Sequence, residues 1–211
     1  MSALGSPAQK PSQAFTARQE GILDAAEVCF VRGGFHRTTM QDIAREASMS
    51  SPNIYRYFVS KEVILVSMAE RERRRAMERI ARFEEAGDKR ASLMNIIAYY
   101  HLKITRESAI LRVELWSEAT RNREIEAILR EHHEEGSKWF IGTLAALATS
   151  PDCDPVALYG AISSLLKGII VCKAAYPDFD TGPFLAQVHA LLDAGLAGRL
   201  SVESRREPTD P

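Results

Sequence analysis

Residues 38–65 read TTMQDIAREASMSSPNIYRYFVSKEVIL, and they predict two short helices joined by a tight turn, followed by the start of a third helix. Thr39 is a residue type that caps helix starts. The apolar residues after it recur on one helical face, namely Met40, Ile43, Ala44 and Ala47. The pattern breaks at residues 48–50, and Pro52 is tolerated only near a helix start. The sequence therefore predicts a second short helix over residues 51–58.

This second helix has one apolar edge and one polar edge. Ile54 and Phe58 stand at i and i+4, so we expect both side chains to pack inward. The polar side chains that then point elsewhere are Ser51, Asn53, Tyr55 and Tyr57. A helix of this length is not stable alone in water. The distribution is typical of a recognition helix that lies in the major groove of DNA.

The same region resembles the DNA-reading segment of the tetracycline-repressor (TetR) family. MSSPNIYRYFVSKEVIL at 49–65 is similar to that family's Leu/Ile-Tyr-x-Tyr/His-Phe run followed by x-Ser-Lys-Glu-x-Leu. GFHRTTMQDIAREA at 34–47 is similar to its Gly-Phe-x-x-Thr-Thr-x-x-x-Ile-Ala run. The resemblance covers roughly Arg18 to Leu65. It implies an all-α fold, with an N-terminal three-helix helix-turn-helix head and a C-terminal helical body for ligand binding and dimerisation.

One position departs from the family pattern. Ser48 stands in the turn between the two short helices, where the family usually has glycine. A left-handed backbone costs a residue other than glycine about 1 kcal/mol. We therefore expect a slight rearrangement of this turn.

The resemblance also implies which residues read the bases. Ser51, Pro52 and Asn53 open the second helix and should lie deepest in the groove, and Gln41 projects from the preceding helix toward a base edge. The side chain of Asn53 can pair bidentately with adenine, and the Pro52 ring can touch a thymine methyl group.

Other residues of the motif are expected at the DNA backbone. By its place in the family motif, Thr39 should cap its helix and touch a phosphate. Tyr55 and Tyr57 should donate to phosphates, which fixes the register but carries little sequence information. Lys61 opens the third helix, whose free backbone amides favour an anion, so we expect a phosphate contact there.

The charge distribution agrees with two parts of different character. The chain has 211 residues, 45% of them hydrophobic, and a net charge of −1. Residues 1–90 hold 15 Lys and Arg against 12 Asp and Glu, a net of +3, whereas residues 91–211 hold 12 against 16, a net of −4. This asymmetry favours a small nucleic-acid-binding module attached to a different body.

Several other protein classes are disfavoured. Cys29, Cys153 and Cys172 form neither a disulfide framework nor a Cys-x-x-Cys pair, and residues 1–14 contain no apolar secretion segment. The longest apolar run, 157–171, is interrupted by polar residues and falls short of a membrane span. The chain has no Gly-rich phosphate loop, no Gly-x-Ser-x-Gly and no His-Glu-x-x-His. We expect a cytoplasmic protein with no membrane partner, no cofactor and no enzymatic activity.

The periodicity also predicts the domain order. We expect a flexible arm over 1–14, the helix-turn-helix domain over 15–60, the ligand-binding and dimerisation domain over 61–198, and a flexible tail over 199–211. Thr16-x-x-Gln19 is a capping box that should start a further helix, which precedes the two short helices described above. Gly33-Gly34 should end this helix.

The body is predicted to contain helices over 61–82, 89–105, 108–119, 123–148, 156–174 and 183–196. The charged run 71–75 is expected to form a solvated helix face. Helix 156–174 is apolar on nearly all sides, so it needs a partner besides its own core. With helix 183–196 it predicts a four-helix bundle between two copies, and hence a homodimer, as the family resemblance also implies.

A small-molecule site is expected in the body because the family commonly builds an apolar pocket there. The expected lining comprises Ile97, Tyr100, Ile104 and Trp116, with His101 and Glu114 as polar ends. Aromatic residues at helical spacing more often form plain core, so that alternative stays open. His132 and His133 are not spaced i, i+4, which favours a wet helix face over a metal site.

The sequence thus predicts a homodimeric transcription regulator of the TetR type. We expect a repressor that binds a palindromic, double-stranded operator and is released by a small-molecule effector. Two alternatives stay open. One is an activator or nucleoid-type regulator that needs no ligand, and the other is a helical ligand-binding or carrier protein that does not bind DNA.

Overall fold

The computed structural model of the chain describes residues 13–85 and 87–200, apart from the side chains of 13–15, 83, 84, 100 and 101. The predicted all-α fold is confirmed, since no strand occurs in these ranges. The predicted flexible arm falls largely, and the tail almost wholly, outside them. The helices are α1 (Gln13–Gly33), α2 (Met40–Glu46), α3 (Ser51–Ile54), α4 (Lys61–Glu85), α5 (Lys89–Ile97), a π-helical turn (Ala98–Leu102), α6 (Arg106–Ala119), α7 (Arg123–Leu147), α8 (Pro155–Ala175) and α9 (Gly182–Leu196).

The chain divides into two compact units, Met1–Met68 and Ala69–Pro211, here called the head and the body. The division falls inside α4, which contributes its first residues to the head and the rest to the body. The boundary predicted from the sequence lay earlier, at the start of this helix.

The core of the head forms along α1. The predicted apolar stripe is buried in full, with Ile22, Ala26, Cys29 and Phe30 at most 2% exposed. The helix ends at Gly33 and is followed by Gly34, whose φ of 77° favours glycine, in agreement with the predicted Gly33-Gly34 end. It begins one turn before the predicted Thr16 cap, because the segment around Ala14 and Ala17 is rich in good helix formers.

The main core of the body lies between α5, α7, α8 and α9. It includes Leu93, Leu144, Ile162, Leu166 and Leu192, each at most 2% exposed. α8 begins at Pro155, one residue before the predicted start, and the Asp154 side chain caps it by accepting from the amides of Val156 and Ala157. Leu192 of α9, at 1% exposure, belongs to this core of its own chain.

One side of α8 is not covered by the residues that the structure describes. Val156 and Val171 are 62% and 47% exposed, and a side chain added at Gly160 or Gly168 would meet nothing within 4 Å. Among the described residues, α8 is long and apolar enough to cross a membrane by length and composition. A core helix of a soluble protein passes the same test, so the length and composition of α8 are weak evidence for a membrane span. Only 28% of its most apolar 18-residue window is buried among the described residues.

Two expectations for the body are wrong. The helix predicted over 89–105 is interrupted, because α5 ends at Ile97 and the chain continues as the π-helical turn, closed by the Lys103 amide donating to the Ala98 carbonyl at 2.7 Å. The charged run 71–75 is not wholly solvated either. Arg71 is only 3% exposed, and Arg73 forms an ion pair with Glu135 of α7 at 3.0 Å.

Candidate DNA interface and effector site

The start of α2 is held by a capping box, as the Thr39 prediction required. The Asp42 amide donates to the Thr39 hydroxyl at 3.2 Å, and the Thr39 amide donates to the Asp42 carboxylate at 3.0 Å. The Thr39 hydroxyl donates to the same carboxylate at 2.6 Å. The hydroxyl and amide donors of Thr39 together lower the pKa of Asp42. To contact a phosphate, the Thr39 hydroxyl would have to donate to the phosphate instead of the Asp42 carboxylate.

The turn between α2 and α3 passes through a left-handed residue. Ser48 has a φ of 53°. Its amide donates to the Arg45 carbonyl at 3.1 Å, and the Met49 amide donates to the Ala44 carbonyl at 2.8 Å. This is the pair of bonds that closes a helix in the Schellman motif, usually with glycine at the left-handed position. The expected rearrangement does not occur at the level of hydrogen bonding, and Ser48 instead adopts the glycine conformation.

The second helix of the motif is shorter than predicted, but its apolar edge is as expected. After α3 ends at Ile54 the chain continues in turns, with the Tyr57 and Phe58 amides both donating to the Ile54 carbonyl. Ile54 and Phe58 are 0% and 4% exposed, so both still pack into the head. The tighter turns thus keep the side-chain positions that a longer helix was expected to give.

The residues predicted to read bases lie on the outer side of this pair of helices. Gln41 and Pro52 are exposed, and Ser51 and Asn53 are half-buried. Of the two tyrosines, Tyr55 is 51% exposed and Tyr57 is half-buried. The buried side chain of Ile54 anchors α3 to the head. The polar side chains on the opposite side of α3 remain accessible to solvent.

Lys61 is the member of the predicted set whose contacts differ from the expectation. Its ammonium donates to three backbone carbonyls, those of Phe35 at 2.9 Å, His36 at 3.0 Å and Thr38 at 3.2 Å. The same nitrogen lies 4.6 Å from the centre of the Phe35 ring. The predicted phosphate contact would require the ammonium to leave these carbonyls.

The predicted effector residues are distributed over two apolar clusters of the body. Ile97 belongs to the main core. Ile104 forms a smaller cluster with Ala109 and Ile170, and Trp116 packs against this cluster. Glu114 and Trp116 are two positions apart on α6, about 200° around the helix, so they point in different directions. Tyr100 and His101 lie in the π-helical turn, and their side chains are outside the described set.

Two features beside the predicted effector site were not expected from the sequence. The first is the π-helical turn, a kind of element that often occurs at functional sites. Its last carbonyl, that of Leu102, accepts from the buried Thr181 hydroxyl at 2.6 Å. The second is Arg79 of α4, whose guanidinium stacks 3.5 Å from the centre of the Tyr99 ring. The bond from Thr181 to Leu102 spans 79 residues, so helical spacing in the sequence does not indicate it.

A charged cluster ties α4 to α6 and α7 inside the body. The Arg73 guanidinium donates to both Glu135 oxygens at 3.0 and 3.1 Å, and Arg112 donates to Glu72 at 2.9 Å. Burial lowers the pKa of His132, which lies near these four groups. In the described ranges no set of three His, Cys, Asp or Glu side chains is arranged to hold a metal ion.

Family models match both units. The model described as "Bacterial regulatory proteins, tetR family" matches residues 22–68, and the model described as "Tetracyclin repressor-like, C-terminal domain" matches residues 88–198. The second match alone covers more than half of the chain.

Individual proteins give the same result. An uncharacterised HTH-type transcriptional regulator encoded in the dhlA 5′ region of Xanthobacter autotrophicus is 29% identical over 169 residues, 77% of this chain and 82% of that protein. A putative transcriptional regulator from Saccharomonospora viridis in complex with choline superposes with a TM-score of 0.74 at 20% identity, over 84% of this chain and 96% of that one. The fatty acid degradation regulator FadR from Bacillus halodurans gives 0.68 at 22% identity, over 87% and 96%. At these identities the two structures support the fold alone.

Proposed function

Because this chain belongs to the tetracycline-repressor family of bacterial transcription regulators, we propose that it acts in the cytoplasm as a homodimeric repressor of the TetR type. In this proposal the head binds a palindromic operator through α3, and a small, mostly apolar effector releases it. The observation that carries the proposal is the accessible polar edge of α2 and α3 on a buried apolar support.

The head residues divide into two roles. Gln41, Ser51, Pro52 and Asn53 contact base edges, where the amide of Asn53 pairs with adenine. Three other members of the set act at the DNA backbone and set the register, namely Thr39, Tyr55 and Tyr57. Lys61 is treated separately below, because its ammonium already has three carbonyl partners.

A second copy of the chain is the proposed partner of the exposed face of α8. Glycine inside a helix costs roughly 0.5–1 kcal/mol relative to alanine. Gly160 and Gly168 have no steric requirement for glycine within their own chain. Glycines on an apolar face instead allow a partner helix to approach closely, and α9 adds the 38% exposed Leu185. Pairing α8 and α9 from two copies gives a four-helix bundle, which sets the spacing of the two heads on a palindrome.

The effector is proposed to bind beside the π-helical turn. Ile97, Tyr100, Ile104 and Trp116 provide apolar and aromatic surface, and His101 and Glu114 are the polar groups proposed for it. The relatives named above include one bound to choline and one described as a fatty acid degradation regulator. Their ligands differ so much that the identity of this chain's effector does not follow from them.

A DNA-binding titration tests the main proposal. The DNA flanking the protein's own gene is the probe, and a scrambled duplex of equal length is the comparison. Asn53→Ala should cost about 1–3 kcal/mol at one base pair and relax the choice of base there. Arg56→Ala, an exposed neighbour, is the matched control. Equal binding of the two duplexes by the unmodified protein would favour the nucleoid-type alternative. Binding to neither duplex would favour a carrier or another function without DNA.

The dimer has its own test. Val171→Glu with Leu185→Glu places charges on the exposed face without touching the buried core. Sedimentation should then show folded monomers with greatly reduced operator affinity. Folded monomers that keep the original affinity would contradict a dimeric mode of binding.

A further inference from the structure

We propose that Lys61 is a positioning residue for DNA recognition, which holds the turn between α1 and α2 and acts on DNA through that turn and not through a phosphate contact. The inference rests on the proposed function, because it assigns a role within the same DNA-binding head.

The geometry around the ammonium is that of a bound cation. A lysine ammonium has three N–H donors, and the three carbonyls of Phe35, His36 and Thr38 lie 2.9–3.2 Å away. The Phe35 ring, 4.6 Å away, adds a cation–π contact on the remaining side. Phe35 is itself fixed, since it is 4% exposed and packs edge-on against Phe30 at 5.3 Å. The donors are thus fully used within the head.

The electrostatics of α4 explain why these carbonyls are required. Lys61 is the first residue of α4, where the helix dipole is positive and disfavours a cation. Three carbonyl dipoles directed at the ammonium offset this repulsion. In return, a turn of irregular backbone obtains the partners that its carbonyls need.

The contacts continue from this turn to the DNA-reading edge. The carbonyl of Thr38 binds Lys61, and the Thr38 hydroxyl lies 2.8 Å from the Gly34 carbonyl. The next residue is Thr39, the N-cap of α2. Lys61 therefore fixes the point from which α2 starts, and α2 sets the position of α3 through the closed turn at Ser48.

Lysine suits this position better than arginine. An ammonium presents its three donors from one point, whereas a guanidinium is a planar fork with donors spread over a wide arc. The three carbonyls converge on a single nitrogen. A Lys61→Arg variant keeps the charge but loses the convergence, which separates a role in geometry from a role in charge.

The test compares Lys61→Met and Lys61→Arg with the unmodified full-length protein. Affinity is measured by fluorescence anisotropy for the DNA flanking the gene and for a scrambled duplex, across roughly 50–200 mM salt. Circular dichroism sets a temperature at which each protein is folded. Arg56→Met, which removes one exposed charge from the same segment, is the matched control.

Both Lys61 variants are expected to lose roughly tenfold in affinity for the flanking DNA, because only a minor fraction of heads then has α2 in the binding position. The slope of log affinity against log salt should stay unchanged, and the ratio of affinities for the two duplexes should fall. Hydrogen exchange at the Thr38 amide, which donates to Gly34 at 3.3 Å, should speed up in both variants.

Two results would overturn the inference. A fall of about one unit in the salt slope for Lys61→Met, with full binding by Lys61→Arg, would assign Lys61 to a phosphate. Unchanged affinity and unchanged duplex ratio in folded variants would reduce it to a stabilising residue without influence on recognition. If Lys61→Met does not fold, the affinity of Lys61→Arg for the flanking DNA decides between the inference and these two results. Failure of the proposed function is distinct, because the unmodified protein would then not prefer the flanking DNA.

Discussion

The turn after α2 and the turn after α9 close their helices with the same two hydrogen bonds but use different residues. After α2 the amides of Ser48 and Met49 donate to Arg45 and Ala44, and after α9 the amides of Gly198 and Arg199 donate to Gly195 and Ala194. The left-handed residue has a φ of 53° at Ser48 and 68° at Gly198.

The surroundings of the two turns explain the difference. A side chain at Gly198 would place its Cβ 2.7 Å from the Cβ of Asp152 and 2.8 Å from the hydroxyl oxygen of Ser150. Ser48, by contrast, is exposed to solvent. Glycine at the end of α9 thus satisfies a backbone angle and a lack of space, whereas Ser48 faces only the angle. A left-handed position therefore excludes other residues firmly only when space is also short.

The largest expected effect is that of Gly198→Ala, which should lower the free energy of unfolding of the body by about 2–4 kcal/mol. The left-handed conformation contributes about 1–2 kcal/mol of this and the overlap with residues 150–152 the rest. Urea unfolding followed by tryptophan fluorescence measures it, because Trp116 and Trp139 both lie in the body. Gly142→Ala, where the added carbon meets nothing within 4 Å, is the control and should be neutral or stabilising. Equal effects at both glycines would remove the role assigned to space.

Thr149→Val should have an intermediate effect, about 1 kcal/mol of lost body stability. The Leu196 carbonyl at the end of α9 accepts from the Thr149 amide at 2.9 Å and from its hydroxyl at 3.2 Å. Valine keeps the shape and the amide bond but removes the hydroxyl. The same urea titration reports the change, and Thr120→Val, at the end of α6, is a control for losing a hydroxyl bond at an exposed helix end. A larger loss at Thr120 would show that the α9 end is not specially anchored.

Ser48→Gly should stabilise the head by about 0.5 kcal/mol. Removing the left-handed penalty gains about 1 kcal/mol, and the greater freedom of glycine in the unfolded chain takes back roughly half. Slower hydrogen exchange at the Met49 amide measures this, with the Arg199 amide as an internal reference in the same sample. Ser48→Ala keeps the penalty and should show no gain. A destabilised Ser48→Gly head would mean that the serine hydroxyl supports the turn.

Acidification should give the smallest effect, confined to the start of α2. The pKa of Asp42 is lowered in the folded head by the hydroxyl and amide of Thr39. Its contribution to stability is therefore fully present above the ordinary aspartate pKa and is lost as the pH falls through the lower, folded value. Hydrogen exchange at the Met49 amide, corrected for the intrinsic pH dependence of exchange, measures this loss of stability. Asp42→Asn should abolish the acid step, and an unchanged step would assign it to another carboxylate.

Features that depend on neighbours in sequence were predicted well. The cap at Thr39, the glycine end of α1 and the break in the helix at residues 48–50 all follow from residue types a few positions apart. Each involves local hydrogen bonds whose geometry the backbone fixes. The buried stripe of α1 followed for the same reason, since helical periodicity places its members on one face.

Features that depend on distant segments were missed or misassigned. The side chain of Lys61 meets carbonyls 23–26 residues away, and Arg73 meets Glu135 across 62 residues. A basic residue on a helix has the same sequence signature whether it faces water, a carboxylate or a ring of carbonyls. The π-helical turn also has no distinctive sequence pattern, because its residues, Ala98 to Leu102, differ little from those of an ordinary helix.

The contact between Lys61 and the turn after α1 also has a consequence for the order of events during synthesis. The carbonyls of Phe35, His36 and Thr38 are made 23–26 residues before their ammonium partner. At about 5–20 residues per second, they wait for roughly 1–5 s with water as their only substitute. The head can reach its final form only after the ribosome has begun α4. The helix whose later residues open the body is thus also the one whose first residue completes the head.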